Sequence, residues 1–436
     1  CNIKIKIMFS KKIFKKKNIL IYGLGISGKS SFKYLNKNNS VTVFDDDKHI
    51  INNISKKFHQ KLNTIYNVEF DFIVISPGID IKRCKLKKFL IKNKKKIITE
   101  LDIFSLTFPN NTKITITGTN GKSTTCQMLF NIFKSRNLDV RLVGNIGNPP
   151  LLEKNIKKRT IFIIEASSYQ IFYSKYFKAD HAAILNLNPD HLERHGNINN
   201  YASAKLKLIY DQEKNKQSYI EKNNPILNNV ISTKNIKSKL NKLIYNKDKF
   251  FKRKIKNTYL LDKNNLKNIH FVYFISKKFK FSDFQIFNLL NKFEGLKYRK
   301  QIIYQDKNLK IINDSKSTSF SSTTGLLSTY ENIYWIVGGL FKKGDRFDLN
   351  KKYYKNITAY IVGSNKNYFQ KQFKNKIKFK YLVTLKKAIL TICKEIKNDK
   401  KNKTILFSPA AASFDQFRNF EERGKKFNKL ISKHIL

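Results

Sequence analysis

The stretch Thr117-Gly-Thr-Asn-Gly-Lys-Ser-Thr-Thr125 constrains this chain more than any other. Lys113-Ile-Thr-Ile116 before it is a short β-branched run of the kind that forms a buried parallel strand. Cys126-Gln-Met-Leu-Phe-Asn-Ile-Phe133 after it carries apolar residues at helical spacing. Strand, glycine turn and helix in that order build a phosphate-binding loop. Its backbone N–H groups and the helix N-terminus attract anions. The loop consists of Gly118, Thr119, Asn120, Gly121, Lys122, Ser123 and Thr124. Lys122 is expected to reach β- and γ-phosphate oxygens, and the Ser123 hydroxyl to ligate Mg²⁺. The pattern is the short form G-x-x-G-K-[ST], because Ile116 stands where the longer form has glycine. A chain with this segment is expected to bind ATP or a close relative.

At 436 residues, with 41% hydrophobic and 13% aromatic residues, the chain has room for two or three domains with their own cores. Its formal charge of +56 invites a nucleic-acid reading. Only ten of the 87 basic residues are Arg, however, whereas phosphate and base recognition favour the Arg fork. The lysines run along the whole chain with Asn, Ile, Phe and Tyr, the pattern of an A/T-rich coding bias. They are read as solvated surface that steers acidic substrates, and no nucleic-acid partner is expected. Cys1, Cys84, Cys126 and Cys393 lie far apart with no pair at metal-ligand spacing, which points to a reducing compartment without structural zinc. No apolar run approaches bilayer length, and no signal-peptide pattern marks the N-terminus, whether the chain starts at Cys1 or at Met8. A cytoplasmic monomer is the expectation.

Strands that run into polar or glycine clusters recur along the chain. Asn18–Tyr22 leads into Gly23-x-Gly25-x-x-Gly28, and Val41–Phe44 ends in Asp45-Asp46-Asp47. This is a dinucleotide-type fingerprint, suited to a phosphate-bearing ligand but weak alone. Phe70–Ile75 ends at Ser76-Pro77-Gly78. Thr160–Ile164 runs into Glu165-Ala-Ser-Ser-Tyr-Gln170, and Ala182–Leu185 into Asn186-Leu-Asn-Pro-Asp-His191. An acid at the end of such a strand commonly holds Mg²⁺. Residues 211–257 read as ragged strands and loops. A third block holds Ile311-Ile-Asn-Asp-Ser-Lys-Ser-Thr318, the strand Ile333–Val337 ending in Gly338-Gly339, and Thr404–Phe407 ending in Ser408-Pro409. The expected architecture is α/β in three domains: a Rossmann-like domain over residues 1–109, a central ATP-binding domain with a mostly parallel sheet over 110–294, and a Rossmann-like C-terminal domain over 295–436.

Taken in order, these segments resemble the Mur ligases, ATP-dependent enzymes that add amino acids to the peptidoglycan precursor. The resemblance runs from about residue 18 to the C-terminus. It rests on Gly118-Thr-Asn-Gly-Lys-Ser-Thr124, Gly144-Asn145-Ile-Gly147, Glu165-x-Ser-Ser-x-Gln170, Asp190-His191, Ala204-Lys205-Leu206, Asn313-Asp-Ser-Lys316-x-Thr318, and Ser408-Pro-Ala-x-Ala-Ser413 continuing to Phe420-Glu-x-Arg-Gly424. The last motif points to the D-glutamate-adding branch. The resemblance then implies that the carboxylate of UDP-N-acetylmuramoyl-L-alanine attacks ATP to form an acyl phosphate. The amine of D-glutamate displaces phosphate from it, and ADP and phosphate leave.

The resemblance also assigns residues. Lys122, His191, Lys205 and Lys316 are implied to be catalytic. Ser123 and Glu165 match ligands of one Mg²⁺, His191 matches a ligand of a second, and Lys205 matches a lysine that many members carry as a carbamate. Such a carbamate needs a neutral amine, hence a desolvated site. Asn265 and Asn268 match residues facing adenine and ribose. Arg299 and Lys316 match residues on the phosphates, and Asp314 one on the ribose. Ser27, Asp45, Ser76 and Asn145 are implied for the UDP-substrate. Thr318, Lys342, Ser413, Phe414 and Phe420 are implied for D-glutamate, with Lys343 an alternative cation because Leu340-Phe341 depart from the family pattern. Two rival readings remain: another Mur-family amino-acid ligase or a folylpolyglutamate synthase, against which the Ser413-to-Phe420 segment argues, and a Lys-rich nucleic-acid-binding NTPase.

Overall fold

The computed structural model describes residues 13–52, 54–231, 235–342, 344–397 and 402–435. Short runs of Ile, Val, Phe and Tyr bounded by Gly, Pro, Asn or Asp become strands buried on both faces, as parallel sheets covered by helices require. Sixteen strands among the described residues form three sheets. The first contains β1 (Asn18–Tyr22), β2 (Ser40–Phe44), β3 (Phe72–Ile75) and β4 (Ile97–Ile98) in the order β2-β1-β3-β4, all parallel. The central sheet contains β5 (Lys113–Thr117), β6 (Val140–Gly144), β7 (Ile161–Glu165), β8 (His181–Ile184), β9 (Gln217–Glu221) and β10 (Lys239–Leu243). Its order is β10-β9-β8-β5-β7-β6, again all parallel. The third contains β11 (Gln301–Gln305), β12 (Leu309–Asn313), β13 (Ile333–Val337), β14 (Ile357–Val362), β15 (Lys378–Val383) and β16 (Lys403–Phe407). Its order is β11-β12-β16-β13-β14-β15, with only the edge strand β11 antiparallel.

The chain divides into two compact units, the first ending at Phe293 and the second beginning at Glu294. The first unit holds the first and central sheets. They are tied by a buried carboxylate on the helix Glu100–Thr107. Asp102, 0% exposed, accepts the backbone N–H groups of Lys175, Tyr176 and Phe177 on one oxygen and that of Thr99 on the other. A buried carboxyl group so saturated by donors is a rigid joint rather than a liability.

Two expectations change. Residues 211–257 are more ordered than ragged strands and loops: they carry β9, β10 and the helices Pro225–Ile231 and Asp248–Lys254. Phe251, next to the half-buried Phe250 amid Lys and Arg, is fully buried and anchors the second helix, which periodicity alone does not reveal. The strand expected over 70–75 starts at Phe72, because the Asp71 side chain accepts the Asn18 N–H at 2.8 Å and ends the ladder there.

Candidate active site

Ligands of open α/β sheets sit at the carboxyl ends of strands, where the strand order switches direction. In the central sheet that point is β5, flanked by β7 and β8, and the phosphate loop follows β5 directly. Gly121 has φ +83°, and a Cβ on it would lie 2.3 Å from Asn268 Oδ1, so only glycine fits there. The loop is laced to the segment after β8. Thr119 Oγ1 donates to Asn188 O and accepts from Asn188 N–H, and it lies 3.2 Å from the Tyr201 hydroxyl. Asn120 N–H donates to Asn186 Oδ1, and Asn186 Nδ2 donates back to Asn120 O. Lys122 opens the helix Lys122–Lys134, and its amine donates to the carbonyls of Gly118 and Thr119 at 2.9 and 2.8 Å. Thr124 is buried one residue beyond Ser123.

A cavity of about 200 Å³ opens beside this loop, lined by Asn120, Gly121, Asn186, Asn264, Lys267 and Asn268 among others. Asn265, expected on the nucleoside, is 6% exposed and spends its Nδ2 on Tyr259 O and Asp262 Oδ2. Its Oδ1 accepts from Asn268 Nδ2 at 3.3 Å. Asn268 thus faces the cavity, and Asn265 orients it.

Ser123 and Glu165 meet as expected: the hydroxyl donates to Glu165 Oε2 at 2.6 Å, both groups buried. Asn145 Nδ2 holds the other carboxylate oxygen at 2.8 Å, which sets this asparagine behind Glu165 as well as beside the cavity it lines. A hydroxyl and a carboxylate at a phosphate loop are hard oxygen donors of the kind Mg²⁺ takes, with phosphate and water filling its other positions. Among the described residues no group of three or more His, Cys, Asp or Glu is arranged to hold a metal. Two hard oxygen ligands beside a phosphate loop agree with Mg²⁺.

His191 ends the loop after β8 in a left-handed conformation (φ 55°) and caps the short helix Leu192–His195. Its Nε2 lies 3.4 Å from Asp190 Oδ2 and its Nδ1 3.6 Å from Glu193 Oε1. Lys205, on the helix Ile198–Tyr210, is 2% exposed. Its amine donates to Gly118 O at 2.9 Å and Thr117 Oγ1 at 3.3 Å, and stands 4.8 Å over the Tyr201 ring. Burial, and then the neighbouring Lys122 charge, hold its pKa well below that of an ordinary lysine.

A second cavity, of about 360 Å³, is lined by Ser27, Lys122, Asn145, His191, Tyr201 and Lys205 among others. It joins the glycine turn of the first sheet to the phosphate loop of the central one. In that turn a Cβ on Gly28 would lie 1.8 Å from Gly23 O, so the helix starts hard against the strand end. Asp45 and Ser76 brace the turn. Asp45 Oδ2 accepts Leu24 N–H at 2.6 Å, and the Ser76 hydroxyl donates to Gly23 O at 2.6 Å. Ser27 alone of these three lines the cavity.

In the second unit, Asp314 follows β12 and is buried. It accepts from Ser408 Oγ at 2.8 Å and Lys300 N–H at 3.0 Å, and burial raises its pKa to about 6. Arg299 lies in a turn whose neighbours Tyr298 and Lys300 both have positive φ. The Lys316 amine stands 3.9 Å over the Phe420 ring, and Ser315 Oγ donates to Phe420 O, so the Asp314–Thr318 segment and Phe420 are one assembly. Thr318 is half-buried, Ser413 buried and Phe414 exposed at 70%. The departure at Leu340-Phe341 has a structural reason. Leu340 exchanges backbone hydrogen bonds with Ala412, and Phe341 stacks on Tyr368 at 3.9 Å. The Lys342 loop is thereby fastened beside Ser413. Lys343 lies outside the described residues.

Tyr201, Asn186 and Arg423 were not among the expected site residues. Tyr201 precedes Lys205 by four residues on one helix and was findable from that spacing. Asn186 sits in the quoted strand-end motif, but its pairing with Asn120 spans 66 residues and leaves no local signal. Arg423, 3% exposed, donates to Ser315 O and Ala411 O and so holds the loop that carries Ser413.

Residues 17–99 match the Mur ligase MurD-like N-terminal domain, and residues 116–292 the Mur ligase middle domain. The UDP-N-acetylmuramoylalanine–D-glutamate ligase of Rickettsia prowazekii is 32% identical over 97% of this chain and 99% of its own length. The enzyme of the same name from Buchnera aphidicola (subspecies Acyrthosiphon pisum) is 35% identical over 95% of this chain and 98% of its own. Two solved structures share the fold at 15% identity. They are UDP-N-acetylmuramate-alanine ligase of Thermotoga maritima (TM-score 0.58, 96% of this chain, 99% of that one) and the MurF ligase of the same organism in complex with ADP (TM-score 0.56, 98% and 97%). With near-complete alignment at this identity and both domain types in order, the chain belongs to the Mur ligase family.

Proposed function

We propose that the chain joins D-glutamate to UDP-N-acetylmuramoyl-L-alanine, consuming ATP and releasing ADP and phosphate through an acyl phosphate, as an acid–D-amino-acid ligase of peptidoglycan precursor synthesis. The observation that carries this reading is the cavity shared by Ser27, Lys122, His191 and Lys205. It lets a substrate held at the first glycine turn present a carboxylate to a phosphate held at the second loop. Two anions must meet there, so the barrier is electrostatic, and preorganised cations lower it. The Lys122 amine, already turned over the loop, would follow the γ-phosphate oxygens as charge moves onto the transferred group. Bound Mg²⁺, held by Ser123 and Glu165 and at a second position by His191, would supply further neutralisation of phosphate charge. Lys205, whose burial favours the neutral amine, is suited to take CO₂ as a carbamate and present a carboxylate beside the loop.

In the second unit Asp314 is suited to accept from a ribose hydroxyl, and Arg299 and Lys316 to hold phosphate oxygens. Thr318, Lys342, Ser413, the Phe414 backbone and Phe420 make up the D-glutamate site, a cation with hydroxyl and backbone donors for a dicarboxylate. We place the enzyme in the cytoplasm as a monomer; no helix among the described residues is long and apolar enough to cross a membrane.

ADP release with one amino acid at a time tests the reading. D-Glutamate is expected to drive turnover with UDP-N-acetylmuramoyl-L-alanine, and D-alanine, L-alanine and L-glutamate to be poorer by orders of magnitude, because unpaired buried donors reject analogues strongly. Lys342→Ala is expected to raise the KM for D-glutamate far more than that for ATP. Equal turnover with D-glutamate and D-alanine would overturn the specificity.

A further inference from the structure

Arg194 follows His191 by one helical turn, and its side chain leaves the central sheet for the first one. The guanidinium donates to three successive backbone carbonyls of the turn after β3: Pro77 at 3.3 Å, Gly78 at 3.1 Å, and Ile79. The same group donates to the Tyr173 hydroxyl at 3.2 Å and lies over the rings of Tyr169 (5.2 Å) and Tyr173 (5.7 Å). Its side chain is 12% exposed. Its Nε also lies 3.9 Å from Asp80 Oδ2, the next residue of that turn, and a planar guanidinium is the side chain able to spread its donors over several oxygens at once.

Each end of this bridge leads to a different ligand. On one side, Ser76 immediately precedes Pro77 and donates to Gly23 O in the first glycine turn. On the other, Arg194 N–H donates to His191 O, and the Tyr169 ring packs against the His191 ring at 4.9 Å. A shift of the Ser76–Ile79 turn would therefore drag Arg194, and with it the backbone and ring environment of His191. We infer that Arg194 is a positioning residue that couples occupancy of the UDP-substrate turn to the arrangement of the His191 loop, so that the sugar nucleotide and the Mg²⁺-nucleotide each tighten the other's binding. This rests on the function proposed above, and it adds that the two ligands are thermodynamically linked through one side chain.

The test is binding by titration calorimetry on the full chain, with no turnover. The Kd of UDP-N-acetylmuramoyl-L-alanine is measured alone and with saturating Mg²⁺ and a non-hydrolysable ATP analogue. In the wild type the Kd is expected to fall about fivefold or more on adding the analogue, the usual range of such coupling. In Arg194→Lys, whose ammonium reaches one carbonyl rather than three, the two Kd values should agree within about twofold, with the analogue's own Kd little changed. A merely structural arginine would lower the melting temperature without altering that ratio. A folded Arg194→Lys protein that keeps the wild-type ratio, or a wild type without coupling, overturns the inference. Should Arg194→Lys fail to fold, Arg194→Gln combined with Tyr173→Phe decides: together they remove the guanidinium fork and the hydroxyl that accepts from both it and Ile81 N–H, and an unchanged ratio in that folded protein is equally fatal. A wild type that couples both ligands yet releases no ADP with D-glutamate would instead refute the proposed function and leave Arg194 standing.

Discussion

Glu100 opens the helix behind the first glycine turn, is 4% exposed, and its Oε1 has no hydrogen-bond partner among the described residues. Burial raises its carboxyl pKa from the usual 4.5 to about 7, against which the hydroxyls of Ser30 and Ser27 pull only weakly. Between those two pH values the folded chain holds a proton that the unfolded chain has released. Stability therefore falls as pH rises from 4.5 to about 7 and is level above it. The interval is worth about 3 kcal/mol, the cost of ionising this acid in place. Glu100→Gln keeps the shape and removes the proton. Its stability relative to wild type should be near zero or slightly negative at pH 5 and should climb to about 2–3 kcal/mol in its favour at pH 8. For a unit of this size that is a relative gain of several degrees in melting temperature. Calorimetric or fluorescence melts of both proteins from pH 5 to 8.5 measure it. A difference that does not change with pH would show that Glu100 ionises normally and that its packing is looser than the structure indicates.

Two more expectations concern the phosphate loop. Lys122→Ala should lower ADP production by at least about a hundredfold, the scale of losing one preorganised charge at a transition state. Calorimetric binding of the UDP-substrate should be nearly unchanged, and turnover within tenfold of wild type would refute the phosphate role. Lys205→Ala should lose most activity and regain part of it with millimolar acetate or formate, since a carbamate is a carboxylate on a stem; no rescue, together with no added 44 Da on Lys205 in native mass spectra, would leave this lysine unmodified.

Much of the fold was legible because parallel strands announce themselves locally. β5, β7 and β13 are short apolar runs that end in Gly, Glu or Gly-Gly, and each appears within a residue of its expected limits. Of the expected site residues, Glu165 closes β7, and Lys122, Ser123 and His191 lie in the loops or helix starts just beyond β5 and β8, so their placement was legible from the strand ends. What escaped is set by contacts between distant segments. Asn265 and Asn268 look equivalent one turn apart, yet the nearby Tyr259 and Asp262 occupy the first, and only tertiary packing brings Gly121 against the second. Ser76 and Asp45 sit at ligand-bearing strand ends but spend their polar groups on the glycine turn itself. Arg194 reads as an ordinary charged residue on a short helix until the first sheet is placed beside it. Helices in the Lys- and Asn-rich stretch after residue 211 escaped for the opposite reason: their local signal is poor, and burial of Leu227 in one and Phe251 in the other supplies the order.

Composition hides Lys205 among many lysines, and burial alone does not single it out, because Lys113 is also 2% exposed. The two lie toward opposite ends of β5. Lys113 starts the strand and donates to the carbonyls of Phe108 at 2.7 Å and Asn111 at 2.9 Å, the first of them the C-cap of the helix Glu100–Thr107. Those oxygens are matched to an ammonium at the negative end of a helix, and its pKa falls only to about 8. Lys205 reaches the strand's carboxyl end, where it meets one carbonyl, one hydroxyl and an aromatic face, with the Lys122 charge against it. Burial and a neighbouring cation both disfavour its protonation, and it lines the cavity that reaches the phosphate loop. A neutral amine with access to CO₂ is a nucleophile, whereas a buried ammonium capping a helix is a brace. The same residue type thus serves structure at one end of β5 and, in the role proposed above, chemistry at the other, and what separates the two is the partners each strand end supplies.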